Sequence, residues 1–451
     1  MKQKVLLLSV LVLLSMVLYF PVAFCESNKE VVTLQKCYTY TLSTHEYILI
    51  SQKQLEISQL LPKKALALVL PKLLAQGTYT KEKEAISLDI EVPPMPPMSM
   101  IVAPEDNWTG DVTFTQPLYE GKFPSAYRMG KKQIVIDEEN RDLTIRNVLY
   151  QVAQAYFNVL KMQEIEKISR DTLQLSLEEL RTAKARFKVG EVTKTDVLRA
   201  EVKVKEAERN LSTAENNLIL TKNILSSLIG FEPDKDYELE KPDRFPAGSE
   251  DLKSLLKKAY SYRDDLRVKE LQIDLARDSR KQTCAAFHPQ VNLVWRYNWV
   301  EEESFSNPNE FWHLLVTIKI PIFSGGMRFW NLIENGERIT QSKVSYERAK
   351  KDIEVEVKGA MLKVKTFEST LAALEKQVEL GKEGYEIVSK QYKVGISTSL
   401  DVSDALTQYE LLRINYINET YDYQLALLNL QRVIGVFADE YIKEYVASIE
   451  N

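Results

Sequence analysis

The feature that most constrains this chain is that its second half repeats its first, in register, at the positions where a chain must turn. Lys188-Val189-Gly190, Thr193, Asp196-Val197 and Ala200 recur 205 residues later as Lys393-Val394-Gly395, Thr398, Asp401-Val402 and Ala405. The same offset joins Gly230 to Gly435. Repetition on this scale sets the architecture before any local motif does. The 451 residues read as a tandem duplication of one large unit.

Each half follows one order: helix, strand, loop, strand, very long helix, sharp turn, second long helix. In the second half, helical periodicity runs from about Leu252 to Ala286 and stops at His288-Pro289. Val291, Leu293, Trp295, Tyr297 and Trp299 then alternate with polar residues, which is a strand with one apolar face. Beyond a polar loop over Glu301 to Asn309, Trp312, Leu314, Val316, Ile318 and Ile320 alternate likewise until Pro321. In the first half Pro71 matches Pro289, and the run Thr115 to Gly121 matches Lys319 to Gly325. Its hairpin loop is longer and holds Pro93-Pro94-Met95-Pro96-Pro97-Met98, a segment expected to be irregular surface loop.

After each hairpin come long stretches nearly free of proline and glycine, too long for a compact domain when helical. Behind each Val-Gly turn a heptad seam begins. Val197, Ala200, Val204, Ala207, Leu211, Ala214, Leu218, Thr221, Leu225 and Leu228 step by three and four. Their counterparts run from Val402 to Val433, with Glu419 the one break. Such a sustained seam means coiled-coil packing. Gly190 and Gly395 suit the left-handed end of one helix. Thr193 or Thr195, and Ser397 or Ser399, can cap the next. Asp196 and Asp401 fall in its first turn, where a carboxylate favours the dipole.

The expected division is a signal peptide over 1–25, a first repeat over 26–230, a linker over 231–250, a second repeat over 251–435 and a tail over 436–451. The first repeat carries a β-hairpin at about 72–119 and long helices at about 122–189 and 194–229. The second carries a hairpin at about 290–321 and helices at about 327–394 and 398–434.

Lys2 and Lys4 before the apolar run Val5 to Phe20 form an export signal, with Ala23 and Cys25 fitting cleavage after Cys25. The run is shorter than a membrane span needs. Acylation of Cys25 is the alternative, and Phe24 stands where a lipoprotein carries a small residue. No other stretch is long and apolar enough to cross a bilayer as a helix. Cys37 and Cys284 read as free thiols. The net charge of −5 gives no electrostatic case for nucleic acid as a partner. His45, His288 and His313 are scattered, with neither metal-ligand nor triad spacing, and no phosphate-binding glycine loop occurs. These residues give no case for an enzyme, a metal site or a cofactor.

Two amphipathic hairpins supply four strands, too few to close a barrel. Either they pack as small soluble sheets, or several chains pool them; three chains would give twelve strands and no open edge.

The duplicated hairpin-plus-helix unit, the two Val-Gly turns and their spacing to Asp196 and Asp401 resemble the TolC family of outer-membrane efflux proteins, over about Thr41 to Gly435. The resemblance implies a mainly α fold with a small β part: a homotrimer with a twelve-stranded barrel in outer-membrane lipid, continued by an α-helical tunnel across the periplasm. It implies a passive exit duct of a tripartite efflux pump or type I secretion system, docking a periplasmic adaptor and an inner-membrane transporter. It also implies an acidic aperture six and nine residues after the second turn glycine, at Asp401 and Asp404; in the first repeat the nine-residue position is Arg199. Thr195, Asp196 and Tyr392 match positions that latch the two hairpin tips together. The arginine that the family places two residues after the second glycine is Ser397 here, for which Lys393 is a candidate substitute. Docking is expected at the turns, Val189-Gly190 and Val394-Gly395, within Lys188 to Thr193 and Lys393 to Thr398. A periplasmic adaptor would need short-strand modules that are not evident here. A pore-free envelope coiled coil remains the alternative function.

Overall fold

A computed structural model describes residues 30–91, 93–94, 96–233, 235–242, 250–301 and 308–450; the expected signal peptide, with Cys25, lies outside the described residues. A short strand β1 (Glu30–Val32) leads into helices α1 (Leu34–Thr44), α2 (Glu46–Ser58) and α3 (Leu61–Leu66). Strands β2 (Lys72–Lys81), β3 (Ile86–Ile90), β4 (Met98–Ala103) and β5 (Asp106–Tyr119) follow, then the long helices α4 (Phe123–Lys188) and α5 (Lys194–Ile229). Strand β6 (Tyr237–Leu239) separates the halves. The second half comprises α6 (Leu252–Tyr262), α7 (Asp264–Cys284), β7 (Gln290–Val300), β8 (Glu310–Lys319), α8 (Met327–Lys393), α9 (Ser399–Val433) and α10 (Asp439–Glu450). Helices α4 and α8 run unbroken for 66 and 67 residues, each about 100 Å long.

Four details differ from the sequence expectation. The helix expected over Leu252 to Ala286 is two helices meeting at Arg263, whose ψ of 118° is extended. The irregular loop of the first hairpin contains a second hairpin: β3 and β4 pair antiparallel, with Met98, placed in the loop, opposite Ile90. The cap of α9 is Thr398, not Ser397 or Ser399, since only Thr398 stands three residues before Asp401 and completes a capping box. The expected tail folds largely into α10, whose Ile442 is buried.

The two long hairpins, α4 with α5 and α8 with α9, pack side by side through α4 and α9, and α7 bridges α4 and α8. The heptad seam of α5 is buried at Val197, Ala200, Val204, Ala207, Ala214, Thr221 and Leu225. In α9 the ends of the seam are buried at Val402, Ala426, Leu430 and Val433, while its middle is half-buried. Near mid-length the main core gathers α1, α4, the end of α5 and α10 around Tyr156, Phe157, Leu225 and Tyr237. There β1 pairs parallel with β6 and joins the start of the first repeat to the linker that follows it. Arg146 of α4 crosses this level buried, with its Nε and Nη1 both engaged. Its Nε donates to Asp264 at 2.8 Å, its Nη1 to the Phe437 carbonyl at 2.6 Å, and it also pairs with Asp439. A buried charge persists only with such a set of partners.

Duplication shows in the packing as well as in the sequence. The helix pairs α1–α2 and α6–α7 both bend at one extended residue, His45 or Arg263, whose N–H donates back to Thr41 or Ala259. Against each bend lies the left-handed glycine that ends a long helix, Gly230 (φ 75°) or Gly435 (φ 82°). A Cβ on Gly230 would meet the Thr44 side chain at 2.7 Å, and one on Gly435 the backbone of Tyr262 at 2.7 Å. Both glycines are therefore fixed twice, by φ and by close approach. Gly190 has the same φ sign with open space around it. Gly435→Ala should therefore lower stability well beyond the ~1–2 kcal/mol of a left-handed alanine, and Gly190→Ala by about that amount alone. Thermal midpoints of the two variants beside wild type make the comparison, and equal losses would refute the close-approach argument.

Candidate functional site

The chemistry of this molecule sits at its two ends. At one end β2, β5, β7 and β8 form a four-stranded antiparallel sheet in that order. Its register aligns Leu73, Ala75 and Tyr79 of β2 with Phe114, Val112 and Trp108 of β5. The Leu73–Phe114 and Ala75–Val112 rows continue through Trp295 and Tyr297 of β7 to Leu314 and Trp312 of β8, and beside them Gln116 pairs with Leu293 and Leu293 with Val316. One face is thus mainly apolar and aromatic, with Gln116, Glu310 and the Lys81–Asp106 pair toward its ends. The opposite face carries Gln76, Thr78 and Thr80, then Asp111, Thr113 and Thr115, then Asn292, Arg296 and Asn298. The apolar side is open: Leu73, Leu314, Val316 and Ile318 are all more than half exposed. The sheet ends on two unpaired edges, β2 and β8. A second aromatic group, Phe323, Phe329 and Trp330, stands exposed where β8 turns into α8.

At the other end are the two Val-Gly turns. Both close identically in the backbone: Gly190 N–H donates to Phe187 and Glu191 N–H to Arg186, as Gly395 donates to Tyr392 and Ile396 to Gln391. Val189 and Val394 stand 70% and 72% exposed at the extreme tip. The helices beyond start with matching capping boxes. Asp196 Oδ2 accepts from the N–H (2.9 Å) and hydroxyl (2.8 Å) of Thr193, and Asp401 Oδ2 from those of Thr398 (2.8 and 2.7 Å). These bonds hold both carboxyls below the ordinary Asp range, through the Thr193 hydroxyl foremost at Asp196 and the Thr398 N–H foremost at Asp401. Asp401 is therefore part of a capping box as well as an aperture candidate. Asp404, one turn on, is exposed and has no such engagement among the described residues.

The residues matched to the latch do not bond to one another within the chain. Thr195 is exposed, Asp196 is held by Thr193, and the buried Tyr392 hydroxyl has no hydrogen-bond partner among the described residues. Ser397 turns inward and donates to Gln391 Oε1 at 3.0 Å, and Lys393 is exposed. The tips are joined by the Ser399 hydroxyl, which donates to the Asp196 carbonyl at 3.5 Å, and by Arg186, a residue not singled out by its spacing from the glycines. Its guanidinium donates Nη1–H to the Tyr392 carbonyl and lies 4.9 Å over the Tyr392 ring, while Nε donates to Glu191 at 3.0 Å. The signal was available in the repeat: position 186 maps onto Gln391, so the two copies differ there.

Deeper between the hairpins, the Tyr385 hydroxyl donates to Glu179 at 2.9 Å, Lys203 to Thr407 at 2.8 Å, and Arg413 to Asp171 at 2.8 Å. Burial pushes the Glu179 carboxyl up to about 7, against the Tyr385 hydrogen bond and Lys203, which favour its charge. A carboxyl whose folded pKa exceeds its unfolded value, ~4.3, stabilises below that value, and the contribution is lost as pH rises through about 7. Glu179→Gln should accordingly raise the thermal midpoint at pH 8 and leave it nearly unchanged below pH 4.5. An unaltered pH profile would show that Glu179 ionises freely.

A profile of the family described as outer membrane efflux protein matches residues 65–231 and 255–436, one segment per repeat. Outer membrane protein TolC of Vibrio cholerae is 25% identical over 362 residues, covering 76% of this chain and 80% of that protein. Alkaline protease secretion protein AprF of Pseudomonas aeruginosa is 22% identical over 356 residues, covering 76% and 72%. Among solved structures, the outer membrane protein VceC of Vibrio cholerae superposes with a TM-score of 0.73 at 18% identity, covering 89% of this chain and 96% of that one. With both repeats matched across most of its length, the chain belongs to the outer membrane efflux protein family.

Proposed function

We propose that this outer-membrane efflux-family chain works as one third of a trimeric exit duct, closed at rest by its periplasmic tips. The observation that carries the reading is the sheet: one apolar face, one polar face and two bare edges. Edge N–H and C=O groups cannot be left unpaired in hydrocarbon. Three copies joined from β2 to β8 would leave none, giving twelve strands with the apolar face to lipid and the polar face to the lumen. Strands of 10 to 14 residues suffice to cross, since a tilted transmembrane strand needs about 9–11. The long hairpins would then carry the lumen about 100 Å into the periplasm.

At the far end the aperture would be acidic, from Asp401 and Asp404, three of each. Close like charges attract cations and raise one another's pKa. With Asp401 tied to its cap, Asp404 has the freer carboxylate and is assigned the larger share of the selectivity. Thr195, Asp196 and Tyr392 are read as contacts of the closed tip, partly toward a neighbouring protomer, because the Tyr392 hydroxyl has no hydrogen-bond partner among the described residues and Thr195 is exposed. The exposed turns Val189-Gly190 and Val394-Gly395 are assigned to docking a periplasmic adaptor, and an inner-membrane transporter would supply the energy. Cargo choice then falls to that transporter, since a passive duct need not recognise what it passes.

Two experiments test the reading. In planar bilayers the assembled protein should give small, cation-selective conductance steps. Asp404→Asn should reduce the selectivity more than Asp401→Asn, which leaves the Thr398 cap in place and removes only the charge from the returning half of the capping box. Correctly assembled protein that does not conduct would sink the duct. On the sheet, Val316→Arg should lower the yield of folded trimer, at a cost of ~2–4 kcal/mol for a charge facing mid-bilayer lipid. Thr317→Arg, on the other face, should assemble and change conductance instead. The reverse pattern would invert the assignment of the two faces.

A further inference from the structure

The two tips share a backbone and differ in what the first residue of the turn does. Arg186 and Gln391 occupy equivalent positions, and each passes its carbonyl to the N–H five residues on, Glu191 and Ile396. The second turn closes with a neutral amide there, so an arginine is not required to close the first. What the arginine does instead is cross to the other hairpin. It donates to the Tyr392 carbonyl, covers the Tyr392 ring at 4.9 Å, and lies where a Cβ on Gly395 would meet its Nη2 at 3.3 Å. The aromatic that pairs with Tyr392 in the repeat is Phe187. Phe187 is 42% exposed, whereas Tyr392, beneath the guanidinium, is 4% exposed.

We propose that Arg186 is the clamp that holds the second hairpin tip, and with it Asp401 and Asp404, in the closed position. The proposal rests on the gated-duct reading for its consequence, but the clamp itself is a property of one chain. A charge-assisted bond to a carbonyl is stronger than a neutral one, and stacking on the ring adds a cation–π attraction. The carbonyl it takes also closes the second turn by accepting from the Gly395 N–H, so the guanidinium binds the same oxygen that shapes that turn, at its second lone pair. Glu191, exposed on the first turn, holds the other edge of the guanidinium. A partner engaging that turn therefore reaches the clamp directly, and pulling Glu191 and Arg186 away frees the second tip.

The decisive variant is Arg186→Gln, which gives the first turn the residue that already closes the second. The full-length protein in detergent is digested briefly with trypsin, and cleavage after Lys393 and after Lys188, both exposed, is followed by mass spectrometry. The clamp predicts cleavage after Lys393 at least ~10-fold faster, the loss of one charge-assisted bond, with cleavage after Lys188 unchanged. Arg186→Lys, which keeps a cation, should recover part of the protection. Unchanged cleavage after Lys393 overturns the clamp, as does equal acceleration at Lys188, which would mark an arginine that serves its own turn. Conductance separates the two levels. A larger step in Arg186→Gln than in wild type joins the clamp to the gate. Faster cleavage with no conductance in either protein leaves the clamp standing and removes the duct.

Discussion

The sheet imposes the constraint to which the rest of the molecule answers. Its register places Leu73, Phe114, Trp295 and Leu314 in one row and Val112, Tyr297 and Trp312 in the next, all on the same face. An antiparallel sheet in water normally packs such a face on a core and solvates the other. Here the apolar face lies open while the polar one carries Asp111, Arg296 and several threonines. The inverted demand is met by lipid on the apolar side and water on the polar side. The bare β2 and β8 edges add a second demand, since unpaired edge N–H and C=O groups need partners in hydrocarbon. Long helices follow from this arrangement: a wall that starts at a membrane and continues through water needs elements that satisfy their own backbone.

Duplication gives the wall its regularity, and divergence between the copies marks where the regularity was given up. Backbone solutions are kept to the residue: the His45 and Arg263 bends, the Gly230 and Gly435 contacts, the two Val-Gly turns and the Thr193 and Thr398 capping boxes. Beyond the capping boxes, side-chain chemistry is kept only in part at the tip. Arg186 faces Gln391 across the repeat, Phe187 faces Tyr392, and Arg199 faces Asp404. All three pairs lie within ten residues of a turn glycine. A structural requirement would have preserved them as it preserved the glycines.

Much of this was legible in the sequence because it depends on period and punctuation. The unbroken α4 and α8, the heptad seam of α5 and the alternation in β7 and β8 are repeating patterns that a linear reading detects. The bend at Arg263 was not, since no proline or glycine marks it; it arises where α7 leaves α6 and the guanidinium reaches Asp265, Glu356 and the Val433 carbonyl. The β3–β4 hairpin was hidden by the prolines of its own turn. At the tip, spacing from the glycines picked out Asp401 but not its engagement by Thr398, which is a matter of side-chain geometry. Arg186 was missed for a related reason. Its partner, Tyr392, lies 206 positions away, and only a comparison of repeat against repeat, position by position, sets it apart from the other surface arginines.

The strength of such a closure has an upper limit set by its use. A charge-assisted hydrogen bond contributes about 1.5–3 kcal/mol net, and the ion pair with Glu191, whose carboxylate is exposed, adds about 1 or less. One clamp per chain therefore holds its tip closed by a margin that thermal motion crosses rarely and that a docking partner can exceed. In a trimer, three independent clamps multiply the improbability of full opening while each still yields singly. A latch built from several deeply buried ion pairs would resist the partner as firmly as it resists leakage. A surface network of one arginine, one carbonyl and one ring lies in the range where engagement of an exposed turn decides the state. Placing the arginine on the first hairpin and its acceptor on the second makes the relative position of the two hairpins the quantity that is held.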